Sequence, residues 1–568
     1  MRWLMTCAIK TRRILDFTYK LLPAAMFIFV LASPSQSSAQ AKNAVLDASS
    51  DPILRALRAE LTRSKAQLKM DNVSAPFYIE YRVFDVDQFE AGAAFGALRD
   101  QTRNRMRLLR AVVRLGDYKL DSFIDAGQGT SDLLPIDNDE LAIRHQVWIA
   151  TDQAYKRAGE ALATKKSMLK QLNVEQPVDD FAKAEAVQSI GPAAKLDVDP
   201  AKWTRMLESA TSVYKNDPQI QSLNASLSFI ALSEYFVNSE GTVTRQGSTH
   251  YVMSMSATEQ APDGMRLDRS PAYTSSRIEE MPTPEKFQAD ALNLIDGMKK
   301  LREAPVVDED YRGPVLFSND AAADMFFDLV VPNVVGRRPA PGRPARTTGL
   351  FASSYKARVL PDFLSVLDDP TVETFQGHSL GGSYKVDDEG VPVSRISVVD
   401  KGQLVNFLIG RLPIRDFPAS NGHGRAGGNG NTSPAPGNVF IQASKTTSRE
   451  ELKKRLVAEC RDRGLPYGYF VDTLGPRLVP RQLYRVWAND GHEELVRGAV
   501  FNELDTRALR SDLVAAGNDP LVSNRSGIPF MSIVSPSVLF DELEVKRADN
   551  SKEKLPDYPA PDLISGRN

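Results

Sequence analysis

The stretch Gly382-Ser-Tyr-Lys-Val-Asp-Asp-Glu-Gly-Val-Pro-Val-Ser-Arg395, which runs directly into Ile396-Ser-Val-Val-Asp-Lys-Gly-Gln-Leu-Val-Asn-Phe-Leu-Ile-Gly-Arg411, decides how this chain is read. Alternating apolar residues flank Gly-bearing polar tetrads, which predicts an acidic turn, a strand, a tight Asp400-Lys401-Gly402 turn and a second strand. Together they make a hairpin. Downstream follow Pro418-Ala-Ser-Asn-Gly-His-Gly-Arg-Ala-Gly-Gly428, the strand-like Gly437-Asn-Val-Phe-Ile441 and the closing Ile533-Val-Ser-Pro-Ser-Val-Leu-Phe-Asp-Glu-Leu-Glu-Val-Lys546. Upstream, Glu234-Tyr-Phe-Val-Asn-Ser-Glu-Gly-Thr-Val-Thr-Arg245 reads as a strand and turn.

In this order and spacing the segments resemble the TldD/PmbA family of metallopeptidase-related proteins, the modulator of DNA gyrase family. The Pro418 segment is similar to the family's Ser-Thr-Gly-(Asn/His) stretch, and Gly437–Ile441 to its Pro-x-x-Asn-x-x-Ile strand. The Glu234 segment resembles the strand and turn that close the family's N-terminal half. The resemblance covers roughly residues 225 to 547.

Active members, the resemblance implies, hold zinc through a His-Glu-x-x-x-His helix and a Cys near the C-terminus. Imidazoles on neighbouring turns of one helix can meet one ion, and the adjacent Glu can take a proton from metal-bound water. A helix with a capping Ser or Asn and three consecutive Ala is expected within residues 313–331. The alignment sets Phe327-Asp-Leu-Val-Val-Pro332 against the zinc motif, so Phe327 and Pro332 stand where imidazoles would be and Asp328 where the Glu would be. Neither Phe nor Pro offers a side-chain lone pair. No shift recovers a His, because residues 251–377 contain none, and the segment from Gly517 to Val534 contains no Cys. Cys460, on a predicted helix over 449–463, reads as a small core residue. The chain therefore resembles the PmbA/TldE-like, zinc-motif-lacking kind, with no catalytic residue, metal ligand or cofactor expected.

His145, His250, His378, His423 and His492 are too far apart in sequence to share a helical turn. His423 is the most suggestive, because Gly422 and Gly424 would let a substrate backbone approach; the alternative is an ordinary solvated loop His. Candidates for a peptide cleft are Asn421, Gly422, His423, Arg425 and Arg395. A Ser-His-Asp triad stays open, since geometry and not position sets it. Nothing resembles Gly-x-Ser-x-Gly, a phosphate loop or a dinucleotide fingerprint.

At the N-terminus, Arg2, Lys10, Arg12, Arg13 and Lys20 precede the apolar run Leu21-Leu-Pro-Ala-Ala-Met-Phe-Ile-Phe-Val-Leu-Ala32, and small polar residues follow to Ala41. That is the order of a secretory signal, expected over residues 1–41 and cleaved near Ala39 or Ala41; the alternative is an uncleaved anchor. The run is about a dozen residues, too short for a helix across a ~30 Å hydrocarbon core. Removing it leaves about 527 residues, enough for two or three domains. A net charge of −2 with no long basic block argues against a nucleic-acid surface. Cys460 is then the single Cys, so no intrachain disulfide forms and a large core must supply stability.

Along the chain, Asp51 and Pro52 open a helical stripe, and residues 76–85 and 105–115 read as strands. An acidic turn at 137–140 leads into a helix to about 172, a connecting loop covers 173–200, a helix follows to about 214, strands occupy 219–258 and a helix runs from 282 to 303. The Pro- and charge-rich segment 305–314 marks a boundary. The expected fold is α+β: an N-terminal mixed domain over 42–303, a β-rich C-terminal domain over 304–548 and a flexible tail over 549–568. Two segments read as mobile loops or solvated crossovers, the Arg- and Pro-rich 336–349 and the Gly- and Asn-rich 421–438.

The resemblance implies a pair in which a zinc subunit joins a homologous subunit lacking the motif, the two enclosing a chamber for unfolded peptides. The expected function is a periplasmic, zinc-less subunit of such a peptide-processing complex. Its partner is a homologous zinc-bearing TldD-like subunit or a second copy. The alternatives are an active metallopeptidase with unconventional zinc ligands and a stand-alone exported peptide-binding protein.

Overall fold

Helices begin where the chain supplies both a cap and an apolar stripe. In α1 (Pro52–Gln67), Asp51 Oδ1 accepts hydrogen bonds from the Ile53 and Leu54 amides at 2.9 and 3.0 Å, and Ile53, Leu54 and Leu57 are buried. The computed structural model describes residues 50–548 apart from 125–128, 174–177, 218, 342 and 344. The expected leader over 1–41 and tail over 549–568 lie outside the described residues, as does the short connection before Ser50. No described helix is long and apolar enough to cross a membrane.

The first sheet is built on two long antiparallel strands, β1 (Tyr78–Ala94) and β2 (Ala97–Arg114), both longer than the 76–85 and 105–115 expected from alternation. The chain continues through β3 (Thr130–Leu134), α2 (Glu140–Leu172), β4 (Gln188–Ile190), α3 (Pro200–Thr211), β5 (Ser222–Asn238) and β6 (Val243–Gln260). Short β7 (Arg266–Arg269) and β8 (Ala272–Ser275) precede α4 (Pro284–Glu303). The sheet order is β3-β2-β1-β5-β6-β4, with β7 and β8 also on β6. Strand β4 lies inside the stretch expected as plain loop.

All four helices cover one face of this sheet. Ile79, Tyr81 and Val83 of β1 pack with α1 and α2, while Phe89, Ala91 and Ala93, on the same side by strand parity, pack with α3 and α4. The opposite face carries Glu80, Arg82 and Phe84 and meets the second half of the chain, where Phe84 and Leu232 pack on Ala426 and Phe530.

That half opens with β9 (Tyr311–Phe317) and α5 (Asn319–Leu329), then β10 (Leu364–Asp368), β11 (Thr374–Phe375), β12 (His378–Ser379), β13 (Ile396–Asp400), β14 (Gln403–Leu404), β15 (Gly424–Ala426), β16 (Thr432–Pro434) and β17 (Asn438–Ala443). It ends with α6 (Arg449–Asp462), β18 (Tyr467–Leu474), β19 (Pro480–Trp487), β20 (Glu493–Val496), β21 (Ala499–Phe501), α7 (Thr506–Ser511), β22 (Leu513–Ala516), β23 (Leu521–Arg525), β24 (Met531–Ser535) and β25 (Val538–Arg547). One sheet runs β20-β19-β18-β9-β25-β21 with β22 on β25, and another runs β14-β13-β10-β17-β24-β23. Both contribute, with α5, to a single core that includes Val315, Phe317, Phe326, Val366, Val439, Ile533 and Phe540. Helix α6 covers the other side of the first of them through Leu452 and Leu456, and Cys460 is buried there, its thiol pushed up to about 11 by burial. The architecture is α+β.

The decisive hairpin differs from its expected form. Val399 and Asp400 of β13 do face Leu404 and Gln403 of β14 across a tight turn. Lys401 and Gly402 there take φ of +46° and +78°, and a Cβ on Gly402 would lie 2.2 Å from the Leu360 carbonyl oxygen. The second strand stops after Leu404: Val405 and Asn406 both donate to the Val398 carbonyl, Leu408 pairs with Val334 and Gly336, and Arg411 reaches the other half. Residues 382–395 hold the acidic turn, closed by Asp387 Oδ1, which accepts from the Glu389 and Val391 amides at 3.0 and 2.8 Å. The segment 421–438 is not a solvated crossover: it holds the β15–β16 ribbon and is largely buried.

Arg411 ties the two halves. It is fully buried, forks onto Glu240 at 2.7 and 2.8 Å, donates to the Ala182 carbonyl and lies over the Phe181 ring at 4.0 Å. Replacing it by Leu strands Glu240 and is expected to cost about 3–5 kcal/mol in urea unfolding at pH 7. A second buried charge site is Glu259, which shares Arg302 with Asp217 at 2.7 and 3.0 Å. Burial pushes Glu259 up to about 7, against the pull of Arg302. A carboxyl raised on folding holds a proton that the unfolded chain loses first, so its share of stability is present below about pH 4.5 and disappears as pH rises through about 7. The Glu259→Gln variant is therefore expected to lose less stability than the parent between pH 5 and 7.5, by about 3 kcal/mol at most; equal pH slopes in denaturant titrations would refute this.

Candidate functional site

Helix α5 is placed by its cap and its small residues. Ser318 Oγ accepts from the Ala321 amide at 3.0 Å and donates to the Asp472 carbonyl at 2.7 Å, fixing the helix start to β18. Ala321, Ala322 and Ala323 have no exposed surface, and Met325 and Phe326 fill the core beneath. After Leu329 the chain tightens through Val331-Pro332-Asn333, where Asn333 Nδ2 donates to the Leu329 carbonyl at 2.8 Å. The ends of the helix are thus well determined.

The outer face carries Asp320, Asp324, Phe327 and Asp328, the spacing of one helical side. Arg525, the last residue of β23, reaches over it. Its Nη1 lies 2.5 Å from Asp324 Oδ1, and its guanidinium carbon sits 4.7 Å from the centre of the Phe327 ring. Nε and Nη2 of Arg525 are buried without a partner among the described residues. Burial first, then the Asp324 carboxylate, raise both Asp320 and Asp328, with Arg525 opposing. Asp328 and Pro332 are exposed and Phe327 is half-buried.

These groups do not suit zinc. Phe327 and Pro332 provide no donor, Asp328 points from an exposed position, and a guanidinium already neutralises Asp324. Among the described residues no group of three or more His, Cys, Asp or Glu side chains is arranged to hold a metal ion.

The residues expected to line a cleft fall elsewhere. Asn421, Gly422, His423 and Arg425 belong to a buried polar network, and Arg395 is exposed. His423 has no exposed surface; Nε2 lies 2.7 Å from Asp368 Oδ2, and Nδ1 lies 3.0 Å from both oxygens of Asn421. Asn421 in turn accepts from the Ile409 amide and donates to the Phe407 carbonyl, each at 2.8 Å. The Gly422 carbonyl takes the Tyr384 hydroxyl at 3.0 Å. Arg425 donates to Asp388 at 3.3 Å and stacks on Tyr384 at 3.9 Å. Burial first, then the Asp388 carboxylate, hold Glu234 well above the usual carboxylate range, with Arg425 opposing.

Sequence reasoning missed Arg525 and Asp324. Their ion pair joins residues 201 apart in the chain, and the only local signal was the four-residue spacing of Asp320, Asp324 and Asp328. It also missed that β23 is the edge of its sheet, with no strand beyond it among the described residues. Its Asn524 side chain is anchored on both sides, donating to the Thr274 and Ser379 carbonyls and accepting from the Gly381 amide, all at 3.0 Å.

Residues 310–547 match the family model described as the PmbA/TldA metallopeptidase C-terminal domain. A metalloprotease of Methanocaldococcus jannaschii is 24% identical over 272 residues, which cover 46% of this chain and 55% of that relative, so the match spans about half of its length. Among solved structures, a candidate modulator of a DNA gyrase from Thermotoga maritima superimposes with a TM-score of 0.57 at 17% identity, over 86% of this chain and 100% of that one. TldE from Thermococcus kodakarensis gives 0.57 at 13% identity, over 86% and 99%. At such identities the likeness is one of fold.

Replacing Arg525 by Met should leave Asp324 unpaired beside two further carboxylates and lower stability by about 1 kcal/mol at pH 7. Protonating the helix face should shrink that difference, so parent and variant melting curves are expected to converge toward pH 3.

Proposed function

As a member of the TldD/PmbA family through its C-terminal domain at residues 310–547, the chain is, we propose, an exported, zinc-less subunit of a peptide-processing complex. The observation that carries this reading is the Arg525–Asp324 pair over Phe327, in the place where the family resemblance puts the zinc helix. A fixed guanidinium repels a divalent ion at short range, and its counter-carboxylate is already engaged. The chemistry of hydrolysis would then come from a homologous partner that carries His-Glu-x-x-x-His.

This chain's contribution would be to hold substrate. An extended, unfolded peptide can add main-chain hydrogen bonds to an open sheet edge. Strand β23 is such an edge, it ends at Arg525, and it lies against α5. Export to the periplasm is supported by the charged, apolar and small-residue order of residues 1–41. A net charge of −2 supports a peptide and not a nucleic acid as the ligand.

Metal analysis of the protein purified from native extract, together with the proteins that accompany it, tests both parts. Zinc far below one ion per chain and co-purification of a homologue bearing the motif are expected. Stoichiometric zinc with chelator-sensitive peptide cleavage would overturn the zinc-less role; recovery without such a homologue or a second copy would overturn the complex.

A further inference from the structure

Where the two halves of the chain meet, β7, the end of α4, β19, β20 and β21 enclose a cavity of about 530 Å³. That volume lies within the range of sites for small organic ligands, which often form at such seams. Met265, Leu267, Leu301, Val479, Leu483 and Val496 make much of its wall apolar. Its charged groups are uneven in a telling way. Arg481 is paired with Asp268, and Arg497 is held by Asp263 at 2.8 and 3.0 Å and by the Ala304 carbonyl at 2.9 Å. Arg266 and Arg477 line the same cavity and are exposed, and their guanidiniums have no ion pair or hydrogen bond among the described residues.

Arg477 owes its position to strained backbone. It and Leu478 adopt left-handed φ of 60° and 58°, a conformation that non-glycine residues rarely take in succession. The turn is held by hydrogen bonds from the Gly475 amide to the Val479 carbonyl at 2.8 Å and from the Leu478 amide to the Gly475 carbonyl at 3.1 Å. Leu478 is buried in the main core of the second half, which fixes the turn from beneath and leaves Arg477 on the cavity wall. Strain that surrounding structure sustains is a recurrent mark of ligand sites.

We propose that this cavity binds a carboxylate carried on an apolar body, as presented by the C-terminus of an apolar peptide or by a fatty acid. The two uncompensated guanidiniums supply planar donor forks that match a carboxylate, and the apolar wall takes the rest of the molecule. The proposal is independent of the peptide-complex reading above, since it uses neither α5 nor β23.

Calorimetric titration of the full chain with decanoate and with acetyl-Leu-Leu-Phe bearing a free carboxylate tests it. At least one of these probes is expected to bind, and the double variant Arg266→Gln/Arg477→Gln should weaken that binding at least about tenfold with an unchanged melting temperature, as both side chains are exposed. Decanol and the peptide's C-terminal amide should bind at least about tenfold less tightly than the acids. Binding of decanoate alone assigns the site to lipid acids, and binding of the peptide alone to peptide termini. No binding by either acid, or binding that the double variant or the neutral analogues retain, would overturn the proposal.

Discussion

Burying Asp387, Asp388 and Glu389 side by side would cost several kcal/mol per charge unless each carboxylate were hydrogen-bonded or paired, and the groups that meet this need come from the second half of the chain itself. Asp387 binds its own turn and the Gly424 amide; Asp388 takes Arg425 and the Ala426 amide; Glu389 takes the Arg411 amide and the Thr432 hydroxyl. From the first sheet, Arg82 donates to the carbonyls of Asp388 and Gly430. The sheet face bearing Arg82 and Gln246 closes over the acidic turn and takes up its main-chain carbonyls. These contacts, with those of Arg411, join the two halves.

The same turn accounts for the residues around it. His423, Asn421 and Arg425 are there to satisfy buried partners, and their glycine neighbours serve close packing: a Cβ on Gly424 would lie 2.2 Å from a Glu389 carboxylate oxygen, and one on Gly422 would lie 2.7 Å from the Pro392 carbonyl oxygen. A glycine-flanked histidine can mark a substrate cleft or a crowded interior, and residue type does not separate the two. Solvent exposure does.

Helix α5 separates the residues that place it from those it presents outward. The cap at Ser318, the alanine run and the core contacts depend on residues that face inward. On the outer face a carboxylate row is answered by one arginine from a sheet edge. In the proposed function that face becomes a rigid border beside an open strand.

Much of the fold was legible because it depends on short-range order. The caps at Asp51 and Ser318, the α+β class, the helix over 140–172 and the tight turn at Lys401-Gly402 all follow from residues within a few positions of one another. The family's C-terminal domain was legible for the same reason, as a series of local motifs in order. What the tertiary structure decided was every question that depends on partners far apart in sequence: the burial of 421–438 and of the acidic turn, the pairing of Arg525 with Asp324 and the cavity at the seam. Local propensity is written in neighbouring residues, but burial and charge pairing arise only when distant segments exclude water between them.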